Sequence, residues 1–183
     1  WVNERGETTV PGLYAAGDMA CVPHNYLLGA LTYGHLCAEH ALSYITQVGD
    51  SSGLEDQIAT EHARIAAPLS RPQGIPHHQY EYKLRRMVND YLQPPKSAHR
   101  LNAGLTHFLR ASEELEEVGA STPHDMMRVV EGGFIRDCAE MAARASLYRT
   151  ESRWGLYHYR QDYPNMDDAR WFVHVNLKRD ANG

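Results

Sequence analysis

The stretch from Pro76 to Tyr148 constrains the fold most. Helix-starting and helix-stopping residues divide it into three lengths, each with apolar side chains at steps of three and four. Pro76 predicts the start of a helix with Tyr80, Leu84, Val88 and Tyr91 on one face, and Pro94-Pro95 ends it, since proline lacks the N–H and clashes with the preceding turn. Ser97 is placed to cap a second helix, striped by Leu101, Leu105, Phe108, Leu109, Ser112 and Leu115 and closed by Gly119. Thr122, with Pro123 at the first helical position and Asp125 at the third, predicts the longest helix, with Met127, Val130, Phe134, Cys138, Met141, Ala145 and Tyr148 turned inward. Three amphipathic helices in succession imply a helical bundle. Gly132-Gly133, at a cost of about 1 kcal/mol per glycine relative to alanine, implies a close helix–helix contact. The acidic run Glu113-Glu114-Glu116-Glu117 reads as a solvated face, with steering of a basic partner as its functional alternative.

Charge narrows what such a chain can bind. Eighteen Lys and Arg against 23 Asp and Glu leave a formal charge of -5 over 183 residues, so no basic face is available to gather nucleic-acid phosphates. The apolar stretches are interrupted well short of the roughly 20 residues of a membrane-spanning helix, and no basic-then-apolar signal pattern opens the chain. The expectation is a soluble, cytoplasmic protein without a transmembrane segment. Cys21, Cys37 and Cys138 are an odd number at wide spacing, which suits neither a disulfide framework nor a CxxC pair. His35 and His40 are separated by about 140° round a helix, and the adjacent His77 and His78 point apart, so no protein-bound metal is expected.

The chain before Pro68 reads differently. Trp1-Val2 and Thr8 to Val10, joined by the polar Asn3 to Glu7, suggest a β-hairpin. Leu13-Tyr14-Ala15-Ala16-Gly17-Asp18 is a small-residue apolar run ending in glycine and an acid, as in a buried strand that presents its C-terminal edge to a ligand. From Leu27 the pattern turns helical, with Leu27, Leu28, Leu31, Ala38, Ala41, Leu42 and Ile45 on its stripe as far as Gly49. A polar patch, residues 49–53, precedes a shorter helical stretch from Leu54 to Ala67, which Pro68 and Pro72 close. A carboxylate at a strand end, followed by a loop and a helix N-terminus, can hold a large polar cofactor with hydroxyls and an electron-accepting ring. Asp18 would accept hydrogen bonds from the hydroxyls, and backbone N–H groups near Leu27 and Leu28 would face a ring carbonyl where negative charge grows on reduction. The same residues also describe an ordinary strand-turn-helix with an Asp in its turn.

The C-terminal region combines alternating charge with aromatic residues: Glu151, Arg153, Trp154, Tyr157, His158, Tyr159, Arg160, Asp162, Tyr163, Asp167, Asp168 and Trp171. Arginine forks pair bidentately with carboxylates, so Arg153 and Arg160 are expected to find Asp162, Asp167 or Asp168 and tie down an irregular segment. A buried polar junction is the reading of these residues. Nucleic-acid stacking by Trp154, Tyr157 and Tyr159 would need a basic groove that the charge balance does not supply.

Both ends of the chain resemble one family. Val10-Pro11-Gly12-Leu13-Tyr14-Ala15-Ala16-Gly17-Asp18 resembles the second FAD-binding motif of the succinate dehydrogenase and fumarate reductase flavoprotein superfamily, which also holds L-aspartate oxidase and adenylylsulfate reductase. The usual acid there is Glu, one methylene longer than Asp18. His24-Asn25-Tyr26-Leu27-Leu28 and Tyr33-Gly34 are similar to the family's Gly-Asn-Ser-Leu-Leu and Phe-Gly. The resemblance implies that Asp18 binds the ribityl chain of FAD and that Asn25, Tyr26, Leu27 and Leu28 lie at the flavin. Glu151-Ser152-Arg153, then His158, Arg160, Asp162-Tyr163-Pro164, Asp167-Asp168 and Trp171 resemble the family's C-terminal signature. Trp154 directly after the Arg, and four residues between Arg153 and His158, look like adenylylsulfate reductase, which typically has Tyr where this chain has His158.

Dicarboxylate members of that family carry a proton-delivering Arg four residues before the motif's Asn. Here that position is Cys21, so no catalytic residue is expected in this chain. The resemblance implies a mainly α architecture: residues 1–49 as the closing segment of an FAD-binding domain with a short β-hairpin or strand remnant, residues 50–150 as a helical bundle, and residues 151–183 as an irregular signature segment packed on it. It further implies the C-terminal part of an FAD-dependent oxidoreductase, inactive by itself. Its N-terminal remainder would carry the pyrophosphate-binding GxGxxG, and the intact protein would pass electrons between a substrate and FAD. An iron-sulfur subunit would follow, holding the cluster and supplying any membrane association. The Cys21 position and the Trp154 spacing point to an adenylylsulfate-reductase-like member. The alternatives are a succinate or fumarate oxidoreductase with a displaced proton donor and a helical subunit-docking module without activity of its own.

Overall fold

The computed structural model describes residues 1–20, 26–49 and 53–179. It divides into two compact units, Trp1–Glu55 and Asp56–Gly183. The architecture is mainly helical, as the sequence predicts, and among the described residues its one sheet has two short strands.

The second unit is a bundle. After α2 (Glu55–Ala66) and a 3-10 turn at Ala67–Ser70 come β1 (Ile75–Pro76), α3 (His77–Tyr91), α4 (Ala98–Leu115), β2 (Val118–Gly119), α5 (Pro123–Tyr148) and the single turn α6 (Asp168–Trp171). The helix starts follow the capping chemistry. Ser97 Oγ accepts from the Arg100 N–H at 3.3 Å. At α5, Thr122 Oγ1 accepts from the Asp125 N–H at 3.1 Å while the Asp125 carboxylate accepts from the Thr122 N–H at 3.0 Å, a reciprocal capping box. Strands β1 and β2 are parallel, Ile75 against Val118 and Pro76 against Gly119. A Cβ on Gly119 would lie 1.8 Å from the Arg71 carbonyl oxygen, so only glycine lets the chain pass there.

The core of this unit lies among α3, α4 and α5. Tyr80, Leu84, Leu101, Phe108, Ala111 and Val118 are all at most 1% exposed. The Tyr80 hydroxyl donates to the Ala111 carbonyl at 2.8 Å, which satisfies the one polar group of a buried ring. The paired glycines of α5 mark the close contact that the sequence predicts: a Cβ on Gly132 would meet the Tyr80 ring at 3.1 Å, and one on Gly133 would meet Leu115 Cδ2 at 3.3 Å.

The inward face of α5 is not the one its large apolar residues predict. Val129, Gly132, Ala139, Ala143 and Ser146 are buried, whereas Met127, Phe134, Cys138, Met141 and Tyr148 are exposed. The helix has two apolar faces, and the small-residue face wins because it lets the Tyr80 ring and Leu115 seat against the backbone. A similar substitution occurs in α4, where Gly104 and Ala111 join Leu101 and Phe108 inside and Leu109 is exposed. Within the acidic run, Glu114 pairs with Lys83 of α3.

The first unit packs turns onto one helix, α1 (Leu27–Ile45). Among the described residues its extended pairing is one antiparallel bridge of Glu7 with Tyr14, downstream of the expected hairpin of Trp1-Val2 against Thr8 to Val10. The Asn3 carboxamide oxygen holds the preceding turn by accepting from the Arg5 and Glu7 N–H groups at 2.9 and 3.0 Å. Gly6 (φ 73°) and Gly12 (φ 81°) adopt left-handed backbone against the helix. A Cβ at Gly6 would lie 2.2 Å from Cys37 Sγ, and one at Gly12 2.8 Å from the Tyr44 ring. Gly17 sits beside Ala30. Ala30, Cys37 and Tyr44 recur every two turns, so the packed face of α1 is this one. Leu27, Leu28, Leu31, Leu42 and Ile45, which the stripe predicts to be inside, are all 64% exposed or more.

Candidate functional site

The expected ligand-facing residues all belong to the first unit. The run from Leu13 to Asp18 is not a buried strand: Leu13 is exposed, and Gly17–Met19 form one 3-10 turn that the left-handed Gly17 allows. That turn carries Asp18 exposed on its surface, with Gly17 buried beneath it. Because Gly17 lies against Ala30, the turn packs on the first turns of α1.

Tyr26 is the N-cap of α1, and its side chain makes no capping hydrogen bond. The first N–H groups of a helix have no partner within it, and the macrodipole makes that end positive. Tyr26, Leu27 and Leu28 are 84%, 75% and 76% exposed, giving an apolar surface around the helix start. The structure therefore brings an acid, a helix N-terminus and exposed apolar side chains into one local unit. Asn25, His24 and Cys21 lie outside the described residues.

The C-terminal signature belongs to the second unit, and its charges are spent on one another. Glu151 is fully buried and accepts from Arg149 Nη1 at 2.6 Å, Arg153 Nε at 2.7 Å, Arg153 Nη2 at 3.0 Å and the Asp167 N–H at 2.8 Å. These donors, Arg153 foremost, hold its carboxyl down at about 2 against the desolvation that would raise it. Arg153 also reaches Asp168 at 2.7 Å, and Arg149 donates to the Trp171 carbonyl at 2.8 Å and the Val173 carbonyl at 2.5 Å.

Arg160, 1% exposed, closes the end of α5. Its Nη1 donates to the carbonyls of Ser146, Leu147 and Arg149 at 2.5, 3.2 and 3.1 Å, a cation placed where the helix leaves acceptors unmatched. Its other two nitrogens form a fork with Asp162 at 2.8 and 2.7 Å. The same carboxylate accepts from the Ala98 N–H at the start of α4 at 2.8 Å, and Arg160 chiefly holds it at about 2. Lys96 donates to Ser146 Oγ at 3.0 Å, and burial followed by the Arg160 charge depresses its ammonium.

Arg153 and Arg160 thus find two of the three expected acids, Asp168 and Asp162, while Asp167 caps α6 by accepting from the Arg170 N–H at 3.2 Å. The sequence reading did not single out Glu151 as the hub or Arg149 as its second arginine. The signal was available: Arg149, Glu151 and Arg153 alternate, and an extended segment turns such residues to one side. Both carboxylates stay ionised far below neutrality, so neither can donate a proton near pH 7. The segment is a clamp, in keeping with the polar junction that the sequence predicts.

Two further features stand apart from the clamp. His158 Nε2 is buried with no hydrogen-bond partner among the described residues, and burial, then the Lys96 charge, lowers its basicity. Between Arg153 and His158, which bridge each other, the chain makes a tip in which Trp154 (φ 58°) and Gly155 (φ 59°) are left-handed and Trp154, Leu156 and Tyr157 are at least 75% exposed. Among the described residues no three His, Cys, Asp or Glu side chains converge as a metal site requires, and no helix is long and apolar enough to cross a membrane.

The second unit is thus a helical bundle sealed by an arginine-carboxylate signature. Residues 81–183 match the family described as fumarate reductase flavoprotein C-term, and the chain belongs to that family. Among curated relatives, the fumarate reductase flavoprotein subunit of Mycobacterium tuberculosis is 29% identical over 97% of this chain and 34% of its own length. The L-aspartate oxidase of Bacillus subtilis is 30% identical over 95% of this chain and 31% of its own. Among solved structures, an adenosine-5-phosphosulfate reductase in complex with sulfite superposes with a TM-score of 0.82 at 28% identity, covering 91% of this chain and 29% of that one. The chain spans about a third of the length of the curated relatives it matches.

Proposed function

We propose that this chain is the C-terminal part of an FAD-dependent oxidoreductase. In this reading residues 1–49 complete its FAD-binding domain, residues 50–150 form a helical bundle, and residues 151–183 lock the end of that bundle. The observation that carries the reading is the exposed Asp18, on a turn packed against α1, in the same unit as an N-terminus that Tyr26 leaves uncapped.

These residues fit FAD. Asp18 would accept hydrogen bonds from ribityl hydroxyls, and Tyr26, Leu27 and Leu28 would border the flavin ring; Asn25, assigned to the same role, lies outside the described residues. The positive end of α1 would favour negative charge on a ring bound there. FAD, when bound, supplies two-electron exchange with a substrate and single-electron transfer to an iron-sulfur partner. The part of this chain is to bind and orient the cofactor. The relatives differ in substrate by name. The Trp154 tip and the likeness to adenosine-5-phosphosulfate reductase favour an adenylylsulfate-type substrate over a dicarboxylate.

The test is flavin retention. The full-length protein is expected to keep a flavin absorbance spectrum through desalting and to lose it on Asp18→Ala, while the 183-residue chain alone keeps none. Full retention in the Asp18→Ala protein would overturn the assignment, and a full-length protein without flavin would leave only the docking-module alternative. With reduced viologen as donor, turnover of adenylylsulfate and not of fumarate is expected, and the reverse outcome would favour the dicarboxylate reading.

A further inference from the structure

His158 hangs from a segment that is tied on both sides. Lys96, between α3 and α4, donates its N–H to the Tyr159 carbonyl at 2.8 Å, and its own carbonyl accepts from the Gln161 N–H at 2.7 Å. On the other side the Arg153 N–H donates to the His158 carbonyl at 2.9 Å and closes the tip.

Three cations act on the ring that this backbone positions: Lys96, Arg149 at the end of α5, and Arg160 two residues further on. The carboxylates of the clamp are already engaged. Glu151 accepts from Arg149, Arg153 and the Asp167 N–H, and Asp162 accepts from Arg160 and the Ala98 N–H. Lys96 Nζ meets a hydroxyl, Ser146 Oγ at 3.0 Å. His158 Nε2 is buried with no hydrogen-bond partner among the described residues. A proton on that nitrogen would be an N–H with no acceptor, buried beside three like charges. The site therefore suits the neutral ring and rejects the charged one.

We propose that His158 is an acid-sensitive fastening of the C-terminal segment: protonation of its ring expels it from among Lys96, Arg149 and Arg160, parts residues 158–161 from Lys96 and frees the tip at residues 154–157. Burial first, then the Lys96 charge, lowers the basicity of the ring, and its hydrogen bond with the Arg149 backbone opposes them. Because the fastened ring lies below its ordinary 6.5, the released state binds the proton more readily. The fastening is complete above that value and weakens as pH falls below it. Glu151 and Asp162, with folded values of about 2 and ordinary values of 4.5 and 3.8, remain charged between pH 7 and 5 and leave that interval to His158.

Amide exchange on the 183-residue chain, corrected for intrinsic rate, tests this. From pH 7 to 5 the protection of the Lys96, Arg153 and Gln161 amides is expected to fall about tenfold, while Leu84 and Phe108 in the core keep theirs. His158→Gln, which carries no titratable ring, abolishes the fall and separates His158 from the other histidines. Lys96→Met removes a facing charge, so the fall shrinks to about threefold and the His158 ring, followed by NMR, titrates at higher pH than in the unsubstituted chain. A ring that titrates at or above 6.5 in the unsubstituted chain would overturn the proposal, and that measurement needs no variant to fold. So would a tenfold fall that persists in His158→Gln, a parallel loss in the core, or a ring titration indifferent to Lys96→Met.

Discussion

The two units of this chain reach order by different means. The bundle buries large side chains against one another, with Tyr80, Leu84, Leu101, Phe108 and Val118 almost fully excluded from water. Among the described residues of the first unit the buried hydrophobics are Val2, Ala20 and Cys37, and its helix rests on glycine turns while five of its aliphatic residues stay exposed. The difference teaches that a continuous apolar stripe is not by itself a statement of where a core lies. In α5 the larger side chains face out and the smaller ones carry the internal contact, and in α1 Leu27, Leu28, Leu31 and Leu42 face out while Ala30, Cys37 and Tyr44 meet the glycine turns.

Four measurements sharpen or break this contrast. Arg160→Met removes a buried cation from Asp162 and three helix-end carbonyls, and should destabilise the bundle by about 3–5 kcal/mol in urea titration. A loss under about 1 kcal/mol would mean that the clamp is ornamental. The next largest effect is with acid. Glu151 and Asp162 have folded values near 2, below their ordinary carboxylate values, so their contribution is complete above the unfolded values and disappears as pH falls toward 2. Glu151 accounts for about 3 kcal/mol of that, and Glu151→Gln should flatten the acid limb of a stability–pH curve.

Gly6→Ala tests the first unit. It forces a Cβ into left-handed backbone and onto the Cys37 sulfur, and about 2 kcal/mol should be lost locally, seen as faster amide exchange in α1 with α3 to α5 unchanged. The smallest effect is expected from Leu42→Ala, within about 0.5 kcal/mol, against about 3–5 kcal/mol for Phe108→Ala at a fully buried site. Equal losses at the two positions would show that the stripe of α1 is internal after all.

Much of the bundle was legible because its punctuation is chemical. Ser97, and Thr122 with Pro123 and Asp125, specify helix starts through hydrogen bonds that need no distant partner, and all function as their spacing predicts. The glycine pair of α5 was readable for a similar reason, since glycine within a helix has few purposes besides close approach. Which face of α5 turns inward was not readable. Hydrophobicity counts the large residues, whereas packing depends on the shape of the Tyr80 ring and Leu115 opposite, residues from other helices. The hairpin at the N-terminus shifted because Gly6 and Gly12, through left-handed backbone, place the turns where α1 has room. In the signature, the arginine partners were legible from charge, and the hub at Glu151 was legible only if Arg149, Glu151 and Arg153 are taken as one side of an extended segment leaving α5.

The Arg153–His158 bridge has a consequence for how the C-terminal signature can vary. The clamp residues lie on either side of it, with Glu151 and Arg153 before and Arg160 and Asp162 after. The clamp hydrogen bonds described above all come from residues outside the tip at 154–157, which is like a handle fixed to a closed latch. Residues can be added, removed or exchanged in that tip without resetting either helix end, so chains sharing the latch are free to present differently shaped handles.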